Sequence, residues 1–150
     1  MVFRIVGKMA NTVIDMFLGL SNPDKEKNMS NRLTANFTRS EMECKCGCGL
    51  MNISQSFMDR LQRLRTEYGK PMTVTSGTRC AKHNATVSTN PQSDHVLGAG
   101  VDIACVNARD RFRLLELGFK HGFDRMGVRR DFVHFGLNVG VNPEDVFWLY

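Results

Sequence analysis

The helix-like and strand-like patterns of this sequence are short and follow one another without a regular rhythm. Residues 54–69 and 107–118 repeat apolar side chains at helical spacing, whereas residues 71–76, 101–106 and 132–137 alternate as strands do. A doubly wound parallel fold would need helices and strands in steady alternation. The sequence therefore predicts an α+β domain with a small antiparallel sheet and flanking helices.

Periodicity, or its absence, predicts the character of the remaining segments. In the second predicted helix, the spacing directs Phe112, Leu114 and Leu115 toward the core. Residues 81–98 and 122–127 lack a periodic pattern and contain several residues that favour turns. They are predicted as a loop and a turn.

Residues 1–34 differ in character from the rest of the chain. Apolar residues recur at helical spacing over 5–20 and predict an amphipathic helix. Asp15 interrupts the apolar stretch and no small-x-small cleavage site follows, which argues against an export signal. Residues 21–31 are polar and include a proline, as linkers often do. We predict a helix and linker over 1–34 and one domain over 35–150.

Composition limits the class of protein. The chain has 150 residues, of which 42% are apolar and 23% charged, as in an ordinary globular domain. Its longest mainly apolar stretch, residues 13–20, is far shorter than the roughly 20 residues of a membrane-spanning helix. We therefore expect no transmembrane segment.

The net charge of +5 favours a polyanionic partner through long-range attraction. Nucleic acid and anionic cell-wall polymer both meet that description. The sequence has no run of five basic residues, and its aromatic residues do not interleave with basic ones. We therefore expect no specific nucleic-acid partner.

Two histidines and an aspartate have the chemistry of a zinc site. His95 lies in a segment where Gly98 and Gly100 relax the backbone before the strand that carries Asp102. His134 lies on another predicted strand, on the face opposite its apolar residues. Two imidazoles and one carboxylate leave a coordination position open for water. By spacing alone, hydrogen-bonded structural histidines remain the commoner arrangement.

Three motifs follow one another in this chain, namely SGTR at 76–79, SDHVLGAGVD at 93–102 and DFVH at 131–134. Their order and spacing resemble the zinc D-Ala-D-Ala peptidase family, the M15 peptidases. That family includes D-Ala-D-Ala carboxypeptidases and dipeptidases and phage L-alanyl-D-glutamate endolysins. The likeness begins at residue 36, where NFTRSEMECKCGCG is similar to the family's opening segment, and it implies a fold like that of the hedgehog and DD-peptidase domains.

Carried over position by position, the resemblance implies that His95, Asp102 and His134 bind zinc. It also implies that Asp131 is the general base and that Arg79 lies near the scissile carbonyl. These roles agree physically, because a carboxylate takes a proton from activated water while a cation stabilises the developing oxyanion. The alternative for Arg79 is a solvated loop residue.

This sequence departs from the family's pattern at several positions. Gly100 stands where relatives often have alanine, a change expected to be harmless. Gly136 stands where many relatives have a carboxylate, which bears on support of the histidine or on substrate choice. Asp131 reaches the metal only if the chain bends just after it, since residues three apart on a flat strand face opposite sides. Its alternative is a surface carboxylate paired with Arg129 or Arg130.

A cysteine cluster stands apart from these motifs. Cys44, Cys46 and Cys48, together with Cys80 and His83, offer the thiolate and imidazole ligands of a structural zinc site. The spacing is not a standard zinc knuckle, so reduced thiols or a disulfide that involves Cys80 were the preferred alternatives. The odd total of five cysteines cannot pair completely within one chain.

The predicted function is zinc-dependent hydrolysis of an amide bond in peptidoglycan stem peptides, as a carboxypeptidase or an endopeptidase. The resemblance implies a monomeric phage or prophage lysin that is made in the host cytoplasm, released by a holin and active at the cell wall. A non-catalytic zinc-containing wall-binding module on the same fold is the first alternative. A cysteine-zinc nucleic-acid-binding protein is the second.

Overall fold

Five strands form one sheet in the computed structural model, which describes residues 31–150. In chain order they are β1 (Val74–Ser76), β2 (Gly100–Ala104), β3 (Arg125–Val128), β4 (Phe132–Gly136) and β5 (Val146–Leu149). Their spatial order is β1-β2-β4-β3-β5. The first three pairings are antiparallel, and only β5 runs parallel to its neighbour β3.

Helices flank this sheet. Within residues 31–150 they are α1 (Arg39–Met42), α2 (Gln55–Tyr68), α3 (Ala81–Val87) and α4 (Ala108–Lys120). The α+β fold class predicted from the sequence is confirmed.

The two long helices have clear end signals. The Ser54 hydroxyl accepts a hydrogen bond from the Phe57 N–H at 3.2 Å and caps α2. Gly69 ends that helix in the left-handed conformation, at φ 72°. The Asn107 side chain accepts from the first N–H groups of α4 and caps it in the same way.

One face of the sheet packs on the long helices to form the core. Its fully buried residues come from α2, α4, β2 and β4, and include Phe57, Leu61, Leu64, Leu114, Leu117, Val101, Ile103, Val133 and Phe135. Because side chains alternate along a strand, Asp102 and His134 lie on the opposite face. Packing of the core face therefore determines which polar side chains reach the other side.

Three local expectations were wrong. Residues 81–87 form α3 instead of a loop, because Cys80 caps a helix that is too short to show an apolar stripe. Residues 125–128 form β3 instead of a turn, since pairing with β4 and β5 provides what the sequence pattern lacks. Phe112 is 71% exposed, because α4 turns Leu114 and Leu117 toward the core.

The predicted N-terminal helix and most of its linker lie outside the described residues. Arg32–Tyr150 forms one compact unit, and a domain boundary near residue 34 stays a prediction. Among residues 31–150, no helix has the length and apolar character needed to cross a bilayer.

The contrast between Leu114 and Phe112 is testable. Leu114→Ala removes a side chain that is 1% exposed and should lower the free energy of unfolding by about 2–5 kcal/mol. Phe112→Ala changes an exposed position and should cost less than about 0.5 kcal/mol. Urea unfolding of both variants measures the difference, and equal losses would contradict the phase of α4.

Candidate metal centre

Three side chains converge on the face of the sheet opposite the core. Asp102 in β2 lies directly across from His134 in β4, with 2.8 Å between Asp102 Oδ1 and His134 Nδ1. His95 comes from the loop before β2 and brings its Nε2 to 3.2 Å from Asp102 Oδ2. All three residues are buried, and their ligand atoms lie within 4.8 Å of one another. Residues far apart in the sequence thus meet at one point.

The orientation of His95 favours a metal ligand. Its Nδ1–H donates to the Gly77 carbonyl at 2.6 Å, which directs the Nε2 lone pair toward Asp102 and His134. Despite the short distance to Asp102, Nε2 lacks hydrogen-bond geometry to any acceptor or donor in the described part of the chain. Burial lowers the pKa of His95 and keeps the ring neutral, as a metal ligand requires.

The loop that carries His95 depends on close backbone contacts. The Arg79 N–H donates to the His95 carbonyl at 3.0 Å. Gly98 has φ 68°, and a Cβ at this residue would lie 2.4 Å from the Asn52 carbonyl oxygen. Glycine at position 98 is therefore needed for the loop to fold back over the strand.

Asp94 is a member of the site that the sequence analysis missed. Its Oδ2 lies 3.1 Å from His134 Nε2, and Arg125 Nε donates to both of its carboxylate oxygens at 3.0 Å. The Asn142 amide donates to Asp94 Oδ1 at 2.8 Å. The position of Asp94 next to His95 in the SDH motif could have indicated it, but the direction of its side chain depends on the tertiary fold.

His134 is therefore flanked by two carboxylates. Burial lowers the pKa of His134, but hydrogen bonds with Asp102 and Asp94 outweigh it and raise the pKa. Burial raises the pKa of Asp102, yet its hydrogen bond with His134 and the nearby His95 ring hold the pKa well below the usual range. If a cation takes the place of the proton on His134 Nδ1, the His134 Nε2–H remains to donate to Asp94. This is the carboxylate–histidine–metal arrangement.

Two glycines make room for the Asp94 side chain. A Cβ at Gly136 would lie 2.7 Å from Asp94 Oδ2, and a Cβ at Gly100 would lie 2.8 Å from Asp94 Cβ. Glycine at these two positions therefore accommodates Asp94, and an alanine at position 100 would displace it. Gly136 leaves the space that the Asp94 carboxylate occupies.

A cleft of about 450 Å³ opens above the buried cluster. The Arg79 guanidinium lines it, with Nη2 at 3.2 Å from Asp102 Oδ2 and Nε at 3.0 Å from Ser76 Oγ. Trp148 and Tyr150 form an aromatic wall, and the Trp148 ring lies 5.3 Å from that of His134. A Cβ at Gly127 would lie 2.5 Å from the Trp148 ring, so glycine lets the indole cross β3.

Asp131 does not join this cluster. Its side chain is 62% exposed and lies 3.4 Å from Arg129 Nε, which is the surface pairing considered as its alternative. It lines a neighbouring pocket that shares Arg129 and Tyr150 with the cleft. A catalytic role for Asp131 stays a prediction.

The buried cluster of two imidazoles and one carboxylate beneath an open cleft has the ligand set of a mononuclear catalytic zinc centre. Residues 35–136 match the family described as Peptidase M15, and the matched segment exceeds half of the chain. The protein therefore belongs to the M15 peptidases, which are zinc-dependent metallopeptidases. No curated protein matches the chain closely enough to count as a relative.

Asp94 offers a test of how His134 is supported. Asp94→Asn keeps the size of the side chain but removes the charge near His134 Nε2, so zinc affinity at the histidine site should fall about 10–100-fold. Asp59→Asn, on the surface of α2, is the matched control and should leave affinity unchanged. Competition with a chromogenic chelator measures both. Unchanged affinity in Asp94→Asn would limit Asp94 to anchoring Arg125.

Proposed function

We propose that this protein hydrolyses an amide bond in the stem peptides of bacterial peptidoglycan, with His95, Asp102 and His134 as the zinc ligands. The observation that carries the proposal is the buried cluster below the cleft, in which His95 Nε2 has no hydrogen-bond partner among the described residues. Zinc in such a ligand set supplies Lewis acidity and activates water near neutral pH. Membership of a peptidase family supports an amide substrate.

Arg79 is the proposed oxyanion-stabilising residue. Two of its five N–H groups donate to Ser76 and Asp102, and the side chain lines the cleft. The remaining donors are available for a carbonyl oxygen of the substrate. Asp102 holds the Arg79 guanidinium in place. The positive charge of Arg79 can therefore stabilise the developing oxyanion without reorganisation.

Asp131 is the proposed general base. Its carboxylate is exposed and lines a pocket that shares Arg129 and Tyr150 with the cleft. Pairing with Arg129 at the surface is worth about 0–1 kcal/mol, which is small enough for substrate binding to replace.

The proposed substrate follows from charge and family together. A net charge of +5 favours adsorption to an anionic cell wall. We propose a phage or prophage lysin that acts as a monomer at the wall after a holin releases it from the host cytoplasm. The proposed activity is that of a D-Ala-D-Ala carboxypeptidase or an L-alanyl-D-glutamate endopeptidase, which the masses of the released peptides distinguish.

A non-catalytic wall-binding module is the second candidate. The observation that favours it is the position of Asp131, which does not line the cleft and pairs with Arg129. Such a module would bind zinc and wall peptide without turnover. The two candidates make different predictions for the same variant.

Digestion of purified peptidoglycan tests the zinc-dependent activity. We expect released peptides whose masses identify the cut bond, loss of release on chelation and recovery when zinc is added back. His134→Ala should abolish release because it removes one ligand of three. Cleavage that persists in the chelator or in His134→Ala would contradict the metal mechanism.

Asp131→Asn separates the enzyme from the binding module. Loss of a general base should lower the hydrolysis rate about 10²–10⁴-fold while the bound zinc remains. Asp110→Asn, a carboxylate on α4 that pairs with Lys70, is the matched control and should keep full activity. Hydrolysis measured by mass spectrometry and zinc measured on the same samples give the answer. An unchanged hydrolysis rate in Asp131→Asn would show that Asp131 is not the general base.

A further inference from the structure

Four thiols from two distant segments meet at a point outside the cleft. Cys44, Cys46 and Cys48 lie in the turn after α1, and Cys80 precedes α3. All four sulfur atoms lie within 4.8 Å of one another. The distances from Cys46 Sγ are 3.4 Å to Cys44 Sγ and 3.6 Å to Cys80 Sγ, and all four cysteines are free thiols. We name these four residues the thiol cluster.

We propose that the thiol cluster binds a second zinc ion, in a closed structural site separate from the histidine centre. Tetrahedral zinc with Zn–S bonds of about 2.3 Å separates its sulfur ligands by about 3.8 Å, close to the distances in the cluster. Four thiolates fill the coordination sphere and leave no position for water. The proposed site therefore stabilises the fold and does not take part in hydrolysis.

Hydrogen bonds to sulfur support thiolate ligands. The Cys80 N–H donates to Cys44 Sγ and the His83 N–H donates to Cys80 Sγ, each at 3.3 Å. His83 Nδ1 lies 3.3 Å from Cys44 Sγ and donates to it when that sulfur is a thiolate. Donors aimed at ligand sulfur atoms are the expected outer partners of a metal site. We assign His83 this supporting role, with Cys48 as the fourth ligand.

The backbone of the CKCGCG segment suits convergence of its three cysteines. Gly47 and Gly49 have φ 81° and φ 73°, in the left-handed region that favours glycine. The Gly47 N–H donates to the Cys44 carbonyl at 3.3 Å and closes the turn. Lys82 lines the pocket beside the thiol cluster, where its positive charge would lie near the negative charge of four thiolates.

The thiol cluster is connected to the histidine centre through residues 77–80. Thr78 Oγ1 donates to the Met42 and Leu50 carbonyls, so this segment is tied to the cysteine turn. The Gly77 carbonyl accepts from His95 Nδ1 and orients that ring. Arg79, the residue before Cys80, donates to Asp102. A metal bound by the thiol cluster would hold these residues at a constant distance from the cysteine turn.

Metal content of the full chain tests the inference. After purification with reducing agent, the wild type should contain two zinc ions per chain by mass spectrometry. The double variant Cys46→Ser/Cys48→Ser should contain one, and His95→Ala/His134→Ala should also contain one. Cys105→Ser, a free thiol outside the cluster, is the matched control and should keep two. The proposal would be overturned if the wild type contained a single zinc ion that the cysteine variant kept and the histidine variant lost.

Cobalt distinguishes the two sites without relying on activity. Co²⁺ bound by thiolates produces sulfur-to-metal charge-transfer absorption in the near ultraviolet, which a His₂Asp site cannot produce. The band should appear in the wild type and in His95→Ala/His134→Ala, and should be absent in Cys46→Ser/Cys48→Ser. If the cysteine variant does not fold, the histidine variant alone decides, since absence of the band there would overturn the proposal.

Further variants test the assignment of ligands. Cys48→Ser should weaken the cobalt band, because three thiolates remain instead of four, whereas His83→Gln should retain the full intensity of the band with weaker metal affinity. The reverse result would overturn the four-thiol assignment. Thiol titration of wild type that was purified with zinc and without reducing agent, then unfolded, should find all five cysteines reduced, and a disulfide within the cluster in that sample would overturn the site. Peptidoglycan digestion tests the proposed peptidase, whereas the cobalt band of the histidine variant tests the thiol cluster. Failure of one proposal is therefore distinguishable from failure of the other.

Discussion

The pairing of Asp102 with His134 across β2 and β4 is the constraint on which the site depends. In the observed register their side chains share a face and lie directly opposite each other. A slip of one residue would turn one of them into the core and expose an apolar neighbour. Because Val101, Ile103, Val133 and Phe135 are buried on the other face, packing of the core secures the register that brings the polar groups together.

Burial of charge around this pair is balanced locally. Asp102 lies beside Arg79, and Asp94 beside Arg125, so each buried carboxylate has a guanidinium partner. His134 lies between the two carboxylates and joins the pairs into one network. This balance lets a sheet face carry ionised side chains beneath an open cleft. It also explains why Gly100 and Gly136 matter, since any Cβ there would displace Asp94.

The sequence predicted the fold where local signals agree with tertiary packing. The α2 helix has its apolar stripe, its serine cap and its terminal glycine, and it lies within one residue of the expected bounds. Prediction failed where an element is short or depends on its partners. The α3 helix is short and capped by Cys80, and β3 depends on its pairing with β4 and β5. The exposed Phe112 shows the limit of periodicity, because a two-residue difference in phase reverses the side of a helix that meets the core.

The sequence by itself determined the candidate residues: His95, Asp102 and His134 stand out by ligand chemistry and motif order, and the cysteines by their density. Tertiary structure alone decided which of these residues meet. It brought Asp94 behind His134, left Asp131 at the surface beside Arg129, and carried Cys80 to the distant CKCGCG turn. The physical reason is that residue type sets what a side chain can bind, whereas sheet register and loop closure set the distances between side chains.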